Sequence, residues 1–268
     1  MTDRPLRGQT ALVTGASAGI GEGIARALGA AGAAVVVNYA SNAAAAARVV
    51  ADLQTVGAEA VAIRADVARE PEVEAMFAEV LGARGRLDIL VNNAGIQRDA
   101  PLTDMTLEEW NAVLAVNLTG MFLCTRAAAR AMIAQPKRPD LSRATGKIVC
   151  VSSVHEIIPW AGHVNYAASK GGVKLFMQSV AQELASHRIR VNSIAPGAVQ
   201  TSINRAAWET SEALDALLTL VPYGRIGVPR DVGEVAAWLV SDAADYVHGQ
   251  TIVVDGGMTL YPGFARGG

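Results

Sequence analysis

Short, nearly uninterrupted apolar runs rich in β-branched residues recur along the chain. They fall at Thr10–Thr14, Ala34–Asn38, Ala60–Arg64, Leu87–Asn92, Lys147–Ser152, Ile189–Ala195 and Gln250–Val254. Between them lie longer segments with apolar positions at helical spacing, near Ile20–Ala31, Asn42–Val56, Glu70–Leu81, Leu107–Ile133, Val164–Ser186 and Asp231–Ser241. Strands that are apolar on both faces and alternate with helices imply a parallel sheet covered on both sides. The pattern therefore predicts an α/β fold with a doubly wound, seven-stranded parallel sheet. No repeat or linker interrupts it, so residues 1–268 are read as one domain. In such sheets ligands bind beyond the carboxyl ends of the strands. The one compositional break, 135–146 (QPKRPDLSRATG), reads as a flexible surface insertion before the fifth strand.

Composition narrows the class without changing the fold. The chain has 268 residues, of which 51% are hydrophobic and only 5% aromatic, so small side chains dominate the packing of helices on the sheet. A net charge of −2, with no dense basic cluster, argues against nucleic acid or an anionic membrane surface as partner. The polar start Met1–Arg7 leads straight into a strand and has no signal-peptide pattern. No run reaches the ~18 uninterrupted apolar residues of a membrane span. Cys124 and Cys150 have neither metal-like nor redox spacing and read as buried thiols in a reducing compartment. A cytoplasmic protein without a metal site is expected.

Candidate chemistry collects at the ends of the strands. Tyr166 and Lys170 stand four apart on a helix and so share a face. A free phenol titrates near ~10, and a neighbouring ammonium favours the phenolate and draws that value down. Such a pair suits proton transfer to or from a hydroxyl, and Ser153 offers a second hydrogen bond to the same oxygen. The first strand runs into Thr14-Gly15-Ala16-Ser17-Ala18-Gly19-Ile20-Gly21 and then a helix. Glycines there make the turn and bring a pyrophosphate to the free N–H groups of the helix start, as Rossmann-type folds require. Asp66-Val67 follows the third strand, where a carboxylate can accept from an adenine amino group. Asn92-Asn93-Ala94-Gly95 closes the fourth strand, its amides able to tie neighbouring strands together and its small residues leaving room for a ribose. Pro196-Gly197-Ala198-Val199-Gln200-Thr201 ends the sixth strand with a turn that can present backbone groups to a carboxamide.

In this order and spacing, TGASAGIG (14–21), NNAG (92–95), Asn117 within VNLTG, Ser153, YAASK (166–170) and PGAVQT (196–201) resemble the short-chain dehydrogenase/reductase family over nearly the whole chain. The resemblance implies hydride transfer between a nicotinamide and a carbinol or carbonyl carbon. It implies Tyr166 as general acid/base, Ser153 as the group that orients substrate oxygen, and Lys170 as the ribose contact that lowers the tyrosine pKa. Asn117 is implied to hold a helix kink and a water linking Lys170 to solvent. The implied cofactor contacts are Gly15, Ser17, Gly19, Ile20, Gly21, Tyr39, Asp66, Val67, Asn93, Ala94, Gly95, Tyr166, Lys170, Pro196, Gly197, Val199 and Thr201.

Within the family, SSVHE (152–156) with Ile158-Pro159-Trp160, Asn38-Tyr39, and the tail around DGGMT (255–259) with Tyr261, Pro262 and Phe264 resemble the bacterial glucose 1-dehydrogenases. That branch implies oxidation of D-glucose to gluconolactone, with Gln97, Ser153, His155, Tyr166 and Asn204 facing the sugar. Gln97 departs from it, since a glutamate is expected there. Ketone and 3-oxoacyl-carrier-protein reductases share the same motifs and form the alternative, and a non-catalytic nucleotide-binding protein is a distant one. Position 39 is Tyr rather than the Asp of NAD-selective enzymes, and Ala18 and Ala40 are not the cations that hold a 2′-phosphate. The balance leans to NAD, with dual use of NAD and NADP open. Residues 202–220 are expected to form a substrate lid, and the family implies a homotetramer.

Overall fold

The computed structural model describes residues 4–260. Tyr261, Pro262 and Phe264 of the tail lie outside the described residues. The strands are β1 (Thr10–Val13), β2 (Ala34–Tyr39), β3 (Ala60–Arg64), β4 (Ile89–Asn92), β5 (Gly146–Val151), β6 (Ile189–Pro196) and β7 (Thr251–Val254). The helices are α1 (Gly19–Ala30), α2 (Ala43–Thr55), α3 (Glu70–Arg84), α4 (Leu107–Leu114), α5 (Met121–Ala134), α6 (Val164–Leu184), α7 (Ser211–Leu218) and α8 (Pro229–Val240). They build one seven-stranded sheet in the order β3-β2-β1-β4-β5-β6-β7, parallel at every pairing. The order reverses between β1 and β4, which opens a crevice at their carboxyl ends.

Alternation along each strand feeds two cores. In β1, Ala11 and Val13 pack with Ile24 and Leu28 of α1 and Val232, Ala236 and Leu239 of α8. Leu12 points the other way, into Val73, Met76 and Phe77 of α3, Met121 and Cys124 of α5, and Val173 and Met177 of α6. Burial in these cores pushes the Cys124 and Cys150 thiols up to about 12, which keeps them protonated and unreactive.

Three features add to the sequence reading. The long helix expected over Leu107–Ile133 is α4 and α5 joined by a π turn, Ala115–Gly120. By length and composition this 107–134 span suffices to cross a bilayer, but its apolar face, with Leu123, Ala128 and Met132, is packed in the sheet core. Within the expected lid the chain forms α7, its start capped by the Thr210 hydroxyl, which accepts from Ala213 N. The 135–146 stretch is pinned at both ends. The Gln135 amide bonds Leu87 N, Leu87 O and Thr145 O, and Ser142 Oγ donates to Asp242 at 2.6 Å.

Candidate active site

The crevice is built first from backbone. Gly15 and Gly19 have φ of +62° and +57°, a region L-residues rarely enter. A Cβ on Gly21 would lie 2.4 Å from Asn93 Nδ2 and 2.5 Å from Gly15 O. Asn93 in turn donates to Thr14 O (2.9 Å) and Gly15 O (3.2 Å), while Thr14 Oγ1 accepts from Asn93 N and Ala94 N. From the other side Asn38 Oδ1 accepts from Gly15 N at 3.1 Å. The turn is thus clamped between β2 and β4 while the start of α1 has no side-chain cap, leaving its N–H groups for an anion. Ser17 and Ile20 are half-buried beside it, and Thr201 packs on Gly19. The Asp66 carboxylate accepts from Ala68 N through one oxygen. Val67 backs the crevice against Gly120 of the π turn. Tyr39 is half-buried at the end of β2, Pro196 ends β6, Gly197 packs on Asp255, and Val199 bridges to Gly227. The uncapped helix start and the glycine cradle fit a dinucleotide pyrophosphate.

Asn117 sits in the π turn and is fully buried. Its Oδ1 accepts from Ile96 N at 2.8 Å, and its Nδ2 donates to Ile96 O and to Ser169 Oγ, each at 3.1 Å. One side chain therefore ties the segment after Asn93-Ala94-Gly95 to α6. The extra residue of a π turn aims Asn117 inward while the helices on either side keep their own registers.

Tyr166 and Lys170 lie one turn apart on α6, the Lys170 Nζ 5.5 Å from the centre of the phenol ring. The ammonium donates to Val151 O at 2.9 Å, which leaves two of its three N–H groups free. Burial draws Lys170 down to about 8, against the opposing pull of Cys150 and Glu156. The sequence expectation of a depressed Tyr166 is not met. Burial holds the phenol above its ordinary value and outweighs the downward pull of Ser153 and Gln97. Ser153 caps a short turn by accepting from His155 N at 3.2 Å, so its own proton remains available to donate.

The outer wall is aromatic. His155, Trp160 and His163 stack at centroid distances of 4.2 and 3.5 Å. His155 and Trp160 both meet the Tyr166 ring edge-on. His155 Nδ1 faces the Ile158 carbonyl at 3.1 Å. A carbonyl only accepts, so that nitrogen carries the proton, and burial lowers the imidazole pKa. Nε2 is then a lone-pair acceptor. Gln97, half-buried, lies against the Tyr166 hydroxyl. Asn204 does not join them. Its Oδ1 accepts from Thr201 N, Thr201 Oγ1 and Trp208 Nε1, and its Nδ2 donates to Val199 O. The amide is spent closing the turn after β6. Arg64 escaped the sequence reading. It is paired in register with Tyr39 and donates to Ala40 O at 3.1 Å, placing a guanidinium at the end of β2. No signal within one element shows this, because the pairing is between strands. Glu22, in the first turn of α1 beside the cradle, is paired with Arg26 and Arg48. Among the described residues no cluster of three His, Cys, Asp or Glu is placed to hold a metal.

A doubly wound sheet, a dinucleotide cradle at its switch point and a Ser-Tyr-Lys set beside it define a nicotinamide-dependent oxidoreductase. Residues 15–259 match the family model described as enoyl-(acyl carrier protein) reductase. The chain is 46% identical to 3beta-hydroxysteroid dehydrogenase 1 of Eggerthella lenta, covering 98% of each chain. It is 44% identical to a 3-oxoacyl-[acyl-carrier-protein] reductase of Synechocystis, covering 96% of this chain and 99% of that one. Glucose 1-dehydrogenase 2 of Bacillus subtilis is 40% identical, with 97% and 98% covered. A gluconate 5-dehydrogenase from Burkholderia cenocepacia, solved with NADP and tartrate, superposes with a TM-score of 0.88 at 38% identity, covering 97% of this chain and 98% of that one. The chain belongs to the short-chain dehydrogenase/reductase family and is an oxidoreductase acting on CH–OH groups with NAD(P).

Proposed function

We propose that the chain interconverts a secondary alcohol and its carbonyl compound, with a sugar hydroxyl as substrate and D-glucose to gluconolactone as the first reaction to test. The observation that carries this is the convergence of Ser153, Gln97 and His155 on Tyr166. A polyol needs several polar partners at fixed positions. Gln97 offers both a donor and an acceptor, and His155 Nε2 offers a further acceptor. In the oxidative direction Ser153 Oγ donates to the alcohol oxygen, and Tyr166, as phenolate, takes its proton. Lys170 keeps two N–H groups for a ribose. Asn117 fixes Ile96 and α6 so that both walls keep their spacing. The bound nicotinamide supplies the hydride acceptor or donor, and the protein supplies orientation and electrostatics.

For the cofactor, Arg64 at the end of β2 supports NADP alongside NAD, since a guanidinium there suits a 2′-phosphate. The lean to NAD from the sequence rested on the missing cation, and Arg64 supplies one. A second reading, a ketone reductase, is favoured by the withdrawal of Asn204 and by the flat aromatic wall, which leave fewer polar partners than a sugar uses. Residues 202–220 are proposed as the lid that excludes water. A homotetramer is supported by exposed Phe122 and Leu175 on α5 and α6 and by Trp238 and Val253 on α8 and β7. The test follows reduced-nicotinamide absorbance with D-glucose and NADP or NAD, and in reverse with 3-oxoacyl esters and ring ketones. Saturable reduction with glucose supports the sugar reading. Silence with glucose beside rapid oxidation of NADPH by the ketones refutes it.

A further inference from the structure

Glu156 is a carboxylate in an unusual place. It ends the turn that Ser153 caps, and its side chain is only 1% exposed. Neither carboxylate oxygen has a hydrogen-bond partner. A bare buried carboxylate is costly unless charge compensates it. The compensation comes from α6. Lys174 Nζ stands 3.7 Å from Glu156 Oε1, and Lys170 one turn earlier feels the Glu156 charge. Tyr166, Lys170 and Lys174 are spaced by four residues, so they form one line along a helix face. That line runs from the phenol to a lysine at the surface, where Lys174 is 38% exposed. Glu156 packs beside it.

We propose that Glu156 is a positioning residue for Lys170: its buried carboxylate, shared between Lys170 and Lys174, keeps Lys170 an ammonium over the working pH range. The inference rests on Lys170 being the ribose contact. The groups facing Lys170 are few. Cys150 on β5 stays a neutral thiol, Tyr166 shares its helix, and Asp99 acts on Tyr166 rather than on the lysine. Cys150 and Glu156 both oppose the effect of burial on Lys170, but the Cys150 thiol is protonated at working pH, so Glu156 is the standing anion beside Lys170, and Lys174 shares it.

The experiment is a fluorescence titration of NADPH with the wild-type chain from pH 6 to 10, repeated for Glu156→Gln, Glu156→Asp and Lys174→Gln. Affinity is expected to fall as Lys170 loses its proton. Glu156→Gln should move the midpoint to lower pH by about half to one unit, and Glu156→Asp should restore most of it. Lys174→Gln should move it to higher pH, because the field of Glu156 then acts on Lys170 alone. A role confined to packing would lower the unfolding temperature and leave all midpoints together. A wild-type profile flat over this range overturns the ribose contact itself. A wild-type midpoint that neither Glu156→Gln nor Lys174→Gln displaces overturns the inference alone. If Glu156→Gln does not fold, Glu156→Asp decides the matter, because its shorter carboxylate should still move the midpoint to slightly lower pH, and an unmoved midpoint overturns the inference.

Discussion

Replacing Asn117 by Ala tests whether one buried amide holds the two halves of the site together. The substitution removes the bonds to Ile96 N, Ile96 O and Ser169 Oγ. Ser169 keeps its bond to Tyr166 O, so the loss falls on the Ile96 N–H and C=O. Each buried backbone group left without a partner costs about 1–3 kcal/mol. Ile96 is only half-buried, and water entering the gap will recover part of that, so about 2–4 kcal/mol is expected. For a domain this size each kcal/mol moves the unfolding midpoint by about 2–4 °C. A drop of roughly 4–16 °C by differential scanning fluorimetry should follow. Freed from Asn117, the π turn can relax to ordinary helix, which would shift Val67 and α6. NADPH affinity should therefore fall together with stability, and turnover should fall further than affinity. An unfolding midpoint within about 2 °C of wild type, with NADPH binding unchanged, would refute the reasoning, because the tie would then carry no load.

Tyr166→Phe should leave NADPH affinity within a few-fold while turnover falls by about 10²–10⁴, and near-normal turnover in a steady-state assay would remove Tyr166 from the proton transfer. Arg64→Ala should weaken NADPH by about tenfold and NADH little by equilibrium titration, and equal losses would place the guanidinium elsewhere. Lys147, held by Gln9 Oε1 at the opposite end of the sheet, and Lys170 are both drawn down by burial from 10.5 to about 8. Between those values the folded chain binds fewer protons than the unfolded one, so these lysines add stability as pH rises and lose it as pH falls through about 8. Cys124 and Cys150, raised from 9.0 to about 12, act with the opposite sign above about 9. The apo midpoint should climb from pH 8 to 9 and then level off. Lys147→Met should flatten that climb without reducing stability at pH 7, and a midpoint more than about 5 °C lower would show the buried ammonium to be net stabilising.

The parts of this molecule visible in the sequence are those whose signal lies within one element or one turn. The β1 run Thr10–Val13 is apolar at every position because helices cover both faces of the sheet. Gly15, Gly19 and Gly21 mark the cradle because a side chain at any of them would meet backbone or the facing loop. Tyr166 and Lys170 mark the chemistry because a four-residue step keeps two side chains on one helix face. The π turn at Ala115–Gly120 is hidden for a related reason. Val113, Val116 and Met121 still look like one amphipathic stripe, since one extra residue rotates the helix without breaking its apolar face.

What stays out of sight is set by meetings between elements. Arg64 belongs to the cofactor end of β2 only through its parallel register with Tyr39. Asn204 looks like a polar group free for substrate until Trp208 is folded back onto its oxygen. Tyr166 carries the clearest motif of all, yet burial holds its phenol above the ordinary value, and a four-residue spacing says nothing of that burial. Glu156, between a histidine and an isoleucine in a turn, reads as a solvated loop charge. Only the packing of that turn on α6 closes water away from it and leaves two lysines as its counter-charge. Spacing identifies which groups can exchange a proton here, and the burial each receives from neighbouring elements sets the pH at which they do so.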